Sequence, residues 1–252
     1  MPTTLSQTLV PMTTVTFPEI ALRTRDAHKL RGYFGELFKE HSPLLHNHLE
    51  REEGTDELKF RYGYPLVQYK VLGNVPTLVG LGDGAGLLTQ LFLQIRELAI
   101  ERGDGETDVF PVLSKHIRHE QVPIGIARSD GPDDLIEYRF DTLWMALNQA
   151  NYRDYRRYAE AEQQAQLKRI LTGQLLALFR EFNLWLEPHE RILVRLSVEE
   201  RTTQFKNQTM VAFTGRFLTN VILPDGIGLG KSVARGFGTI GRKQEREEGG
   251  KG

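Results

Sequence analysis

The chain has 252 residues, 40% of them hydrophobic and 26% charged, with a formal charge of -1. This is enough apolar material for a folded core and excludes global disorder; the absence of cysteine excludes disulfides, a thiolate nucleophile and every zinc site that needs sulfur. The near-zero total hides an asymmetry, because Arg201 to Lys243 carries seven basic residues against one acid, Asp225, a local balance of +6 suited to a polyanion.

The opening MPTTLSQTLVPMTT has neither the basic nor the apolar region of a signal peptide, and no window approaches the roughly 18 apolar residues of a membrane span. A soluble, cytoplasmic protein is expected. After about ten unpatterned residues, Val15 to Leu22 alternates and predicts a strand. Asp26 is placed to cap a helix whose apolar face is Leu30, Phe34, Leu37 and Phe38. A polar connection, His41 to Glu57, leads to a strand over Phe60 to Leu72, a turn at Gly73-Asn74 and a hairpin partner over Thr77 to Leu81. Asp83 opens a second helix with Leu87, Leu88, Leu91, Phe92 and Ile95 on one face, and Val109 to Ile117 predicts a further strand. The order β-α-β-β-α-β is the ferredoxin-like unit.

The Gly/Asp/Pro cluster at Ser129 to Asp134 is the best domain boundary. Beyond it come a short strand (Leu135 to Phe140), a tyrosine-rich helical stretch (Asn151 to Phe182) and strands at Arg191 to Val198 and Thr209 to Leu223. A glycine-rich stretch and a short apolar segment, Phe237 to Ile240, follow, and the tail from 244 is charged and glycine-rich. This half reads as a degraded copy of the same plan.

Asp225 to Gly238 reads DGIGLGKSVARGFG, with Gly226, Gly228, Gly230, Gly236 and Gly238. Gly230-Lys231-Ser232 copies the end of a nucleotide-hydrolase phosphate loop, but the glycine that motif needs at 225 is Asp, and too little chain follows. A dinucleotide fingerprint fails because position 231 is Lys. Two readings remain: a surface turn with incidental charge, or a loop whose backbone amides, with Lys231 and Arg235, lie against an RNA phosphate backbone that no Cβ holds away.

This loop resembles the signature of the CRISPR repeat-processing endoribonucleases, members of the repeat-associated RNA-binding superfamily. The likeness extends to LRGYFGELF (Leu30 to Phe38), LLHNHLE (Leu44 to Glu50), Phe60 to Leu88, LWMALNQANYRDY (Leu143 to Tyr155) and Phe213 to Ile240, in order, and points to the branch with an HNH histidine triplet. It implies an α+β protein of two tandem ferredoxin-like (RRM-like) domains, here at 11–128 and 134–243; the tail at 244–252, outside the likeness, is expected to be disordered from its composition. It also implies RNA binding by Gly226, Gly228, Gly230, Lys231, Ser232, Arg235, Gly236 and Gly238.

His46 and His48 share a side if the backbone is extended but lie about 160° apart on a helix; Pro43 and Asn47 favour the extended form. Imidazole suits proton transfer at neutral pH. RNA scission needs a base for a ribose 2′-OH and an acid for the departing 5′ oxygen, and the nucleophile is internal to the RNA, so no metal or other cofactor is required. A metal site of His41, His46, His48 and Glu50, or a structural polar loop, competes with this reading on the residues alone. The resemblance favours catalysis, by His48 first and His46 second, and implies a tyrosine in the next strand. Tyr62 is the candidate, with Tyr64 on the same face. The other histidines, His28, His116, His119 and His189, read as surface or packing residues. Tyr152 to Tyr158 mixes tyrosine and arginine at helical spacing, either to stack on RNA or to pack on a sheet.

The expected activity is therefore metal-independent cleavage of CRISPR precursor transcripts once in each repeat. The partners are repeat and guide RNA, with other subunits of an interference complex, and no membrane. A non-catalytic RNA-binding subunit of the same superfamily is the alternative.

Overall fold

The computed structural model describes residues 7–38, 50–51, 58–59, 63–102, 104–127, 135–205 and 208–243. The expected boundary at Ser129 to Asp134 and the tail from 244 lie outside these residues. The first half runs β1 (Gln7–Thr16), α1 (Ala27–Leu37), two short paired strands β2 (Glu50–Arg51) and β3 (Leu58–Lys59), β4 (Val67–Leu72), β5 (Val75–Leu81), α2 (Asp83–Leu91), a second hairpin β6 (Glu97–Glu101) and β7 (Thr107–Pro111), and β8 (His116–Ile126). Its main strands lie in the order β8-β1-β5-β4, the ferredoxin-like arrangement, with every neighbouring pair antiparallel. Gly73 and Asn74 join β4 to β5 and both take positive φ, 55° and 67°, as a two-residue turn between twisted strands requires.

The first strand differs from expectation. It begins at Gln7, while Phe17 to Leu22 runs as loop along the β4–β5 turn, with the Phe17 and Leu22 amides donating to Pro76 and Asn74 carbonyls. Pro11 disguises the strand, since proline cannot serve a strand paired on both sides. It is tolerated because β1 pairs with β8 along its whole length but meets β5 only from Met12 onward. The expected Val109 to Ile117 strand is likewise two elements, β7 and the longer β8.

The second half runs β9 (Ile136–Phe140), α3 (Gln149–Tyr155), α4 (Glu160–Glu181), β10 (Val194–Phe205), β11 (Gln208–Thr219), β12 (Val221–Ile222) and β13 (Ile240–Arg242). Asn148 caps α3: its side chain accepts from the Asn151 amide at 2.8 Å, and the Asn151 side chain returns the bond. The sheet order β10-β11-β9-β13 repeats the ferredoxin-like plan. One departure concerns the site. Between its third and fourth strands, where the first half has α2, stands the glycine-rich segment, whose one helical piece is the 3-10 turn Val233–Arg235.

The halves are joined through the first sheet. One face, with Val15, Tyr69, Val71 and Leu78, packs under Leu30 and Phe34 of α1 and Leu88 of α2. The other, with Val10, Met12, Leu81 and Ile124, shares a core with Tyr138, Trp144, Phe213 and Phe217 of the second half. The sheet is therefore buried on both sides, and β12 extends it by pairing with β8. Residues 67–71 of β4 are accordingly all buried.

Candidate nucleic-acid interface

β4 alternates. Val67, Tyr69 and Val71 enter the core beneath α1, while Gln68 and Lys70 point the opposite way, into the glycine-rich segment. The Gln68 side chain accepts from the Gly228 amide at 3.0 Å, and its amide nitrogen donates to the Tyr64 hydroxyl at 2.9 Å. That hydroxyl donates to the Gly228 carbonyl at 2.8 Å. Two side chains of the first half thus satisfy both polar atoms of one backbone unit in the second. Lys70 donates to Thr239 Oγ1 at 2.8 Å. Thr142 completes the set: its hydroxyl donates to the Gly236 carbonyl at 2.7 Å and accepts from the Thr239 amide at 2.8 Å.

These bonds give the glycines a use other than the expected one. The amides of Gly226, Gly228, Lys231, Gly236 and Gly238 donate to Ile240 O, Gln68 Oε1, Met145 O, Val233 O and Leu143 O. Close packing is what requires glycine here. A Cβ on Gly236 would lie 2.7 Å from that of Ala27 in α1, and one on Gly238 would overlap the Leu229 carbonyl oxygen. Both take left-handed φ, 87° and 64°, which L side chains resist.

What remains for a ligand is the outer rim. Lys231 is exposed; Ser232, also at positive φ (57°), and Arg235 are half-buried. Arg235 lies near Arg31 of α1, and burial together with that second guanidinium disfavours its charged form. Arg31 sits one helical turn after Ala27, against which Gly236 packs, so α1 and the 3-10 turn bring two cations to one seam. α1 leads directly toward the histidine triplet in the chain.

The proposed catalytic residues His46, His48 and Tyr62, with His41, lie outside the described residues. Tyr64 is described and is interior. Burial pushes its hydroxyl far above the ordinary tyrosine range, and both its bonds are structural, so it belongs to the seam and not to proton transfer. Lys70 is fully buried, and desolvation brings its amine down to about 7, against the opposing pull of Asp141. The remaining histidines behave as surface or packing residues: His28 bonds the Arg25 carbonyl and His119 the Thr13 hydroxyl. In α3, Tyr155 packs edge-on against Phe213, whereas exposed Tyr152 lies under Arg156, itself paired with Glu200 at 2.9 Å.

Sequence reasoning missed Gln68, Lys70 and Thr239. Alternation was visible in VQYKVL, but polar residues on alternate strand positions ordinarily mark a solvated face. Only the second half's position turns that face inward.

Comparison with known proteins matches residues 8–121 to the Cas6b N-terminal domain and residues 131–243 to the Cas6b C-terminal domain. A crystal structure of Cas6b is similar at 30% identity and TM-score 0.81, covering 94% of this chain and 100% of that one. A second, of a CRISPR RNA processing endoribonuclease Cas6b, is 27% identical with TM-score 0.70 over the same shares. A type IV Cas6 crRNA endonuclease, 13% identical with TM-score 0.55, shares the fold. An uncharacterized protein of Methanocaldococcus jannaschii is 29% identical over 156 residues, 62% of this chain and 99% of its own length.

Proposed function

The chain belongs to the Cas6b family of CRISPR RNA-processing endoribonucleases, and from that premise we propose that it cuts precursor transcripts within each repeat without a metal ion. The ribose 2′-OH on the 5′ side of the scissile phosphate attacks the phosphorus, and the 5′ oxygen of the next nucleotide leaves. One product ends in a 2′,3′-cyclic phosphate and the other begins with a 5′-OH. His48 and His46 are the proton-transfer groups, with Tyr62 as the third candidate; one takes the 2′-OH proton and another returns one to the leaving oxygen, a task for which imidazole is suited.

RNA capture falls to the rim of the glycine-rich segment. Lys231, Ser232 and Arg235 meet the phosphates, while Gly226, Gly228, Gly230, Gly236 and Gly238 serve that surface by letting the segment fold tightly enough to present it. The observation that carries this reading is the seam itself, where the basic 3-10 turn packs on the helix that precedes the histidine triplet. The reading extends to retention on the processed guide as part of a larger interference complex.

End-group analysis of repeat RNA cut in excess EDTA tests it. Cyclic phosphate and 5′-OH ends are expected, and His48→Ala is expected to lose at least about 100-fold in single-turnover rate with little change in affinity. Cutting that stops in EDTA, or a His48→Ala variant as fast as wild type, overturns the mechanism.

A further inference from the structure

Among the described residues, Lys70 is the only charged side chain buried from solvent. An apolar side chain of similar length would fill its place at lower cost, so packing alone gives no reason for an amine there. Its surroundings give one. Lys70 reaches across the seam to Thr239, Thr239 is bonded to Thr142, and Thr142 holds the carbonyl of Gly236, the residue after Arg235. Gly236 also packs on the Lys70 backbone, for a Cβ placed there would lie 3.6 Å from Lys70 Cα. Lys70 thus stands directly behind the rim that carries Arg235.

Of the charged groups on the elements packed around Lys70, one acts on its amine. Asp141, after β9, favours the ammonium and is itself paired with Arg139 at 2.7 Å. The 3-10 turn carries Arg235, β9 carries Glu137 and Arg139, and Arg242 of β13 lies over the Tyr138 ring; β5 carries no charge, and on the opposite face of β4 lie His28, Lys29, Arg31 and Glu36 of α1 with Arg25 and Asp26 just before it. Burial outweighs Asp141 and leaves the amine near the point of losing its proton at neutral pH. An anion brought to the rim acts on it through the low-dielectric interior, where charges are weakly screened.

We propose that Lys70 is a positioning residue for RNA capture: it ties the glycine-rich segment to the first domain through Thr239, and a phosphate held at Lys231 and Arg235 draws a proton from solvent onto its amine. The amine becomes an ammonium without touching the RNA. This rests on the RNA-binding reading of Lys231 and Arg235. Affinity is therefore level where Lys70 is charged with or without RNA, and falls as pH rises once only the bound protein keeps the proton.

The test is the affinity of the full chain for repeat RNA made uncleavable by a 2′-deoxy sugar at the cut, at fixed salt from pH 6 to 9. Wild type is compared with Lys70→Met, which removes donor and charge, and Lys70→Gln, which keeps a donor without a titrating amine; thermal melts show that each is folded. Wild-type affinity is expected to fall above about pH 7, by up to about tenfold per unit. Both variants are expected to bind at least about fivefold more weakly at pH 6.5 and to lose the slope above pH 7. A folded variant that keeps the wild-type slope, or a wild type without one, overturns the proposal while leaving RNA binding intact. A wild type that does not bind repeat RNA overturns the underlying reading as well.

Discussion

The two halves follow one strand order and part company between the third and fourth strands. There the first half has α2, a helix of nine residues. A helix satisfies most of its backbone internally and asks of its neighbours only a surface for an apolar stripe. The second half has the glycine-rich segment, whose amides are met by scattered acceptors: Met145 O, Leu143 O, Gly238 O and, from the other half, the Gln68 side chain. Such a segment has no shape of its own. Its conformation is a joint property of both domains, which is how a basic rim in one half comes to be fixed against β4 and α1 of the other.

Glycine substitutions in the two places are expected to differ most. Gly238→Ala forces a left-handed φ on alanine and drives its Cβ into the Leu229 carbonyl, so a loss of about 3 kcal/mol is expected. Gly86→Ala in α2 meets nothing within 4 Å and is expected to gain roughly 0.5–1 kcal/mol. Urea unfolding of both measures the difference; equal and small effects would show that the segment is as tolerant as the helix.

Tyr64→Phe comes next. It strips a donor from the buried Gly228 carbonyl and an acceptor from Gln68, and about 2 kcal/mol of stability is expected to go with them. A loss below about 0.5 kcal/mol, the scale of ordinary surface changes, would mean that the seam is held by apolar contacts alone.

The smallest effect is a slope. In the unfolded chain the Lys70 amine holds its proton up to about pH 10.4, whereas in the folded protein it gives it up near 7. Between those values the unfolded state binds more protons, so without RNA the Lys70 contribution makes stability rise with pH, by up to about 1.4 kcal/mol per unit. Unfolding at pH 7.5 and 8.5 is expected to show this rise in wild type and its loss in Lys70→Met. Identical slopes would place the titration elsewhere.

Much of this arrangement was legible in the residues. Leu30 and Phe34 at helical spacing, the Gly73-Asn74 turn and the order of elements around them led to the ferredoxin-like plan of the first half. The five glycines of Asp225 to Gly238, inside the basic stretch, led to the segment that sets the second half apart. What was hidden depended on partners distant in the chain. Pro11 obscured β1 because nothing local shows that its neighbour strand begins one residue later. Gln68 and Lys70 looked solvent-facing because the backbone that covers them lies about 160 residues on. Tyr64, expected on a strand from Phe60, instead precedes β4, which begins only at Val67, and the bond to the Gly228 carbonyl assigns it to the interior.

In the proposed reaction the RNA supplies its own nucleophile. Repeat RNA carrying a single 2′-deoxy sugar on the 5′ side of the scissile phosphate, bound to saturating wild-type protein in EDTA, tests it most directly. The expected result is binding equal to that of all-ribose RNA and no cutting at that position. Cutting of the deoxy substrate at the all-ribose rate would contradict it.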